Sequence, residues 1–135
     1  MTLDKLMIHT NAILTVRAER KCPAIDIYIP ILHEGMIEIA NRFKVLSLIT
    51  VSQDARVLRA LGPNDAGVKE YIRFPKSPRV GTDKIDMDEE LMYALSNFVA
   101  AATASENKHI ALYKKAYNRI VKDYDFKLYN TPGEA

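Results

Sequence analysis

His33 and Glu34 stand side by side in the stretch ILHEGMIEI, and a histidine followed by a glutamate is how a zinc-peptidase helix begins. In that chemistry a second histidine four residues after the first closes the metal site, and the glutamate acts as general base. The position four residues after His33 is Ile37, so the second ligand is missing and His33 reads as a solvated residue on a helix face. His9 and His109 are isolated from any partner motif and read as surface or boundary residues on helices. The five glycines are scattered, and the one compact cluster, LGPNDAG, lacks the lysine and hydroxyl pair of a phosphate-cradling loop; it reads as a β-turn.

Serine nucleophiles need a strained turn and a nearby base, and Ser47, Ser52, Ser77, Ser96 and Ser105 have neither in the sequence. The acidic group Asp86, Asp88, Glu89 and Glu90 could attract a cation, but helix capping accounts for it. The single Cys22 cannot form an internal disulfide and lacks companions for a cysteine metal site, which points to a reducing compartment. These readings give no catalytic residue, no cofactor and no metal, so no enzyme is expected; a catalytic site assembled from residues distant in sequence is the alternative.

A chain of 135 residues fits one domain. Its charged fraction of 27% nets only +2, too small an imbalance to argue by itself for a nucleic acid or a membrane. No signal peptide is read at the start, and the apolar run Ala24 to Leu32 is broken by Asp26 and Pro30 and too short for a bilayer, so a protein made in a cytoplasm is expected.

The elements follow from spacing. Leu3, Leu6, Met7, Ile13, Leu14 and Arg17 predict a first helix over Asp4 to Arg20, ended by Lys21, Cys22 and Pro23. Ile31, Leu32, Met36, Ile39, Ala40 and Phe43 predict a second, from Ala24 or Ile29 to Lys44, with a kink near Pro30 and with Gly35 marking close approach of another backbone. Leu46 to Val51 fits a strand or a continuation of that helix. Arg56 to Leu61 and Val68 to Phe74 flank the turn cluster and predict an inserted β-hairpin with a bulge or a longer loop, with a loop or short linker over Lys76 to Asp86 after it.

Two further apolar stripes, Leu91 to Ala102 and Ile110 to Tyr124, predict an α-α hairpin broken near Ser105, Glu106 and Asn107. The fold expected is mainly α: a helical bundle of about four helices in one domain over residues 1–126, a β insertion at about 55–75, and an extended C-terminal tail over 127–135. Lys108, Lys114, Lys115, Arg119 and Lys122 give the last helix a solvated basic arc, while Tyr113, Tyr117 and Tyr124 fall on its core side.

What remains is apolar material at the periphery. Tyr71, Phe74, Phe126, Leu128 and Tyr129 exceed what a small core needs there, and aromatics are favoured at interfaces. Interface burial is the better reading for the tail, and for the hairpin it weighs equally with closing the core.

The order of two helices, a β insertion ending in EYIRFPKSP, the acidic lead-in IDMDEELMYALSNFVAAATA and the closing helix HIALYKKAYNRIVKDYDF resembles the head-to-tail connector (adaptor) proteins of tailed bacteriophages. The resemblance covers mainly Glu70 to Tyr129; the first half matches in helix order only. It implies a structural protein of the virion neck, synthesised in the host bacterial cytoplasm. There it would form a homo-oligomeric ring, commonly of twelve copies, between the portal protein and tail or other neck proteins, with DNA passing through the lumen and no membrane contact. It further implies Phe126, Leu128 and Tyr129 as contacts to portal or neighbouring subunit, and Leu61 to Tyr71, with Leu61, Asn64 and Tyr71 foremost, as contacts to ring or tail. The competing reading is a small helical nucleic-acid-binding packaging or regulatory protein.

Overall fold

The computed structural model describes residues 1–52 and 54–129, the last two as backbone only. The chain is mainly helical, with four α-helices, α1 (Leu3–Val16), α2 (Ile25–Arg42), α3 (Met92–Thr103) and α4 (Asn107–Tyr129). Between α2 and α3 lie three strands, β1 (Ile49–Thr50), β2 (Val57–Pro63) and β3 (Lys69–Arg73), forming one antiparallel sheet in the order β1-β3-β2.

Helix α3 is central, touching α1, α2 and α4. Its Ala94, Leu95 and Val99 are fully buried, and it receives Leu3 and Leu6 from α1, Leu32, Met36 and Ile39 from α2, and Tyr117, Val121 and Tyr124 from α4. Gly35 of α2 permits one of these approaches: a Cβ there would lie 2.7 Å from Cδ1 of Phe98. A ring of α3, rather than the backbone expected, takes the space.

α1 stops earlier than its apolar spacing predicts. At its end the Glu19 N–H donates to Leu14 O (3.0 Å) and the Ala18 N–H to Thr15 O (2.9 Å), the paired bonds of a Schellman turn, with Ala18 left-handed at φ 53°. That position favours glycine, so the sequence carries no visible stop. Ala18→Gly should relieve the crowded Cβ by somewhat more than the added unfolded-state freedom costs, a net gain of about 0.5 kcal/mol. The denaturant midpoint measures it.

α2 starts at Ile25, which places Pro30 inside the helix. The missing N–H deprives the Asp26 carbonyl of its i+4 donor, a cost borne at a solvent-facing position because Pro30 and Asp26 are both exposed. After α2, Leu46–Leu48 form a 3-10 turn and Ile49–Thr50 pair with Ile72 and Tyr71, so the segment of ambiguous sequence is a turn followed by a strand. The bulges expected in the insertion fall between Val57 and Arg59 and between Ala60 and Gly62.

Residues 76–86 are bound to the first turn of α1: Leu3 N–H donates to Asp83 O and Asp4 N–H to Gly81 O, each at 2.9 Å. Helix α4 runs through Tyr129, so the chain is still helical where an extended tail was expected from 127; residues 130–135 lie outside those described.

Candidate interaction surface

Arg59, on β2, fixes the insertion to the helices. Its Nε donates to Ala40 O and its Nη2 to Phe43 O, both at 2.9 Å, so one guanidinium satisfies carbonyls at the open end of α2. Beside it lies a groove of about 390 Å³ lined by Arg42, Phe43, Lys44, Arg59, Leu61 and Asp125. Leu61 of the insertion and Asp125 near the C-terminal end of α4 therefore share one surface, and Phe126, next in the chain, is 66% exposed.

The other expected contacts divide. Asn64 is committed to its turn: Oδ1 accepts from Ala66 N–H (2.9 Å) and Val68 N–H (3.0 Å), and its carbonyl accepts from Gly67 N–H (2.9 Å). Tyr71 is half-buried on the central strand, opposite Thr50 and Ala60, and does not line the Leu61 groove. Leu128 and Tyr129 belong to α4 by backbone, and their side chains lie outside the described residues.

Arg42 also borders a second groove, of about 460 Å³, formed by α2, α3 and α4 and lined by Glu38, Phe98, Ala101, Ile110, Lys114 and Tyr117 among others. The Tyr117 ring is buried, and its hydroxyl, which has no hydrogen-bond partner among the described residues, is pushed up to about 12 by burial first and the nearby Glu38 carboxylate second. Sequence spacing places Tyr117 correctly in the core; nothing in it announces the groove.

The side chains that could do chemistry are engaged elsewhere. His9 Nδ1 lies 2.9 Å from Ser96 Oγ, a contact invisible in sequence because the two are on α1 and α3. The Ser96 hydroxyl also lies 3.0 Å from Tyr93 O, to which it can donate, and it is fully buried. His33 is not a solvated face residue: Nε2 lies 2.8 Å from Pro75 O and ties α2 to the loop after β3.

The carboxylates expected as caps make tertiary bonds instead. Asp86 holds the Arg73 guanidinium through two contacts, Nη1 to Oδ2 at 2.5 Å and Nη2 to Oδ1 at 2.7 Å, and accepts Lys76 N–H at 2.8 Å. Asp88 makes no side-chain cap and takes the Tyr124 hydroxyl and the Ser47 N–H.

His109 is likewise not isolated. Its Nδ1 lies 2.7 Å from Glu19 Oε2, and Glu19 also accepts the Ser105 N–H and Glu106 N–H at 3.1 Å and the Ser105 hydroxyl at 2.9 Å. The Schellman turn aims Glu19 at the start of α4, where its side chain is 3% exposed. The His109 bond first, and the Ser105 N–H next, pull the Glu19 carboxyl down to about 2. Because the folded value lies below the unfolded one, this carboxylate stabilises the fold above about pH 4.5, and the contribution is lost as pH falls toward 2. Glu19→Gln should flatten the acid limb of the stability curve over that window; an unaltered slope in urea melts at pH 5, 4 and 3 would contradict the assignment.

Among the described residues no group of three or more His, Cys, Asp or Glu side chains could hold a metal ion, and no helix is long and apolar enough to cross a membrane. No family model, curated protein or solved structure matches the chain.

Proposed function

We propose that this chain is a structural ring subunit of the head-to-tail connector type, docking to a portal above and to tail or neck proteins below, with DNA passing through its lumen. The observation that supports it most is the convergence of the β insertion and the C-terminal part of α4 on one groove, lined by Leu61 and Asp125 and joined to a second groove at Arg42, with the exposed Phe126 next in the chain after Asp125. Ring closure needs a heterologous contact, in which a projecting patch on each copy meets a different, concave patch on the next. Phe126 supplies a projection and the grooves supply concavities. Helix α4, 23 residues long and braced along α3, is a stiff element suited to fix the wedge angle between copies.

The test is assembly onto portal-bearing heads, followed by cryo-electron microscopy of the neck. The full chain should form a ring there, and a chain cut after Asp125 should lose it while keeping its helical circular-dichroism spectrum. Unchanged assembly by the truncated chain, or virions that form without the protein, would end this reading. The alternative, a nucleic-acid-binding module using the exposed Lys114, Lys115, Arg119 and Lys122 of α4, requires steeply salt-dependent DNA binding that disappears with those side chains.

A further inference from the structure

A third groove, larger than the two above, is separate from the Leu61 face. It has a volume of about 1170 Å³ and lies between Ala55 and Arg56, which lead into β2, and the end of β3 with the loop that follows it. Its apolar lining is Phe74, Pro75, Pro78 and Ile85, of which the last three are buried. The same groove is lined by five cations, Arg56, Arg73, Lys76, Arg79 and Lys84, against two carboxylates, Asp83 and Asp86. The resulting excess of three positive charges in one concavity is larger than the net charge of the entire chain, +2.

Both carboxylates are already committed. Asp86 faces Arg73 and the Lys76 N–H, and Asp83 accepts the N–H groups of Arg79 (2.8 Å) and Val80 (3.1 Å), which hold its carboxyl below the usual range. Lys76, Arg79 and Lys84 are exposed; the charges of Lys76 and Arg79 act on the Asp86 and Asp83 carboxylates from a distance, while Lys84 has no such neighbour among the described residues. Arg56 lies over the Phe74 ring, its Cζ 4.2 Å from the centroid, which holds a guanidinium and an aromatic face together at one edge.

The wall is also pre-set. His33 anchors Pro75, and the backbone bonds from Leu3 and Asp4 anchor the far end at Gly81 and Asp83, so little ordering is left for a ligand to impose.

We infer that this groove binds a single-stranded nucleic-acid segment, its phosphates on Lys76, Arg79, Lys84 and Arg56 and a base against the half-buried Phe74 ring. Cations along a backbone track with an aromatic platform beside it are the combination that sequence-independent single-strand binding uses. An acidic peptide would satisfy the charges but leave the Arg56–Phe74 stack without a function. The inference does not depend on the ring reading, because the site is complete within one copy.

Fluorescence anisotropy of a labelled twelve-nucleotide oligothymidylate with the full chain, from 50 to 200 mM salt, tests it. Four phosphate contacts predict a log-log slope of about −3. The variant K76A/R79A/K84A should bind at least about 10-fold more weakly with a slope near −1, while K114A/K115A/K122A on α4 binds like the parent. Circular-dichroism melts of both variants, and K76Q/R79Q/K84Q as a gentler set, separate lost binding from lost folding. Three results would overturn the inference: no saturable binding at 50 mM salt, an equal loss in the α4 variant, or displacement of the oligonucleotide as readily by tripolyphosphate or polyglutamate at matched charge.

Discussion

Tyr28→Ala should lower the unfolding free energy by about 4 kcal/mol, the cost of removing a large buried aromatic side chain when the surroundings only partly collapse. Tyr28 is fully buried on α2 and reaches across to α1, where its hydroxyl lies 2.8 Å from Thr10 Oγ1. Thr10 itself donates to Leu6 O (2.8 Å), so the tyrosine is the donor in the pair. Burial pushes the phenol well above its ordinary range, so that proton is in place at neutral pH. Tyr28→Phe isolates the hydrogen bond from the packing and should cost only about 1 kcal/mol, since Thr10 retains its bond to Leu6. Urea titrations of the two variants measure both effects; equal losses would mean that the polar bridge, not the ring, holds α1 to α2.

The second large effect is expected at Tyr124. Its hydroxyl donates to Asp88 and accepts the Leu46 N–H at 3.0 Å, while Asp88 accepts the Ser47 N–H at 3.1 Å. Three separate parts of the chain meet there: α4, the 3-10 turn before β1 and the lead-in to α3. Tyr124→Phe removes a bond to a carboxylate and leaves a backbone donor without its acceptor, for a loss of about 2 kcal/mol. Burial first, and Asp88 second, raise the Tyr124 phenol, so the tyrosine keeps its proton near neutrality. A loss below about 0.5 kcal/mol in the same titration would show that water replaces the hydroxyl.

The helices were legible where apolar residues recur at three and four: the buried Tyr113, Tyr117, Val121 and Tyr124 of α4 are the stripe that spacing predicts. The early end of α1 was not, because Ala18 sits where a stop signal would normally be a glycine. Strand β1 was ambiguous because two residues carry no period; pairing with β3 defines it. The histidines read as isolated because their partners Ser96, Pro75 and Glu19 are 42 to 90 residues away, and separations of that size leave no trace in local pattern. Of the expected contact residues, Leu61 was placed near the C-terminal end of α4 only by the Arg59 clamp, whose purpose a lone arginine in a strand does not disclose.

The Glu19 brace has a consequence for amide hydrogen exchange. Ser105 and Glu106 are exposed turn residues, of a kind whose N–H groups ordinarily exchange within the time of mixing. Here both donate to a carboxylate at the end of α1, more than eighty positions earlier in the chain. Their exchange therefore waits on release of that distant helix end, and two protons at a surface bend become reporters of whether α1 is docked.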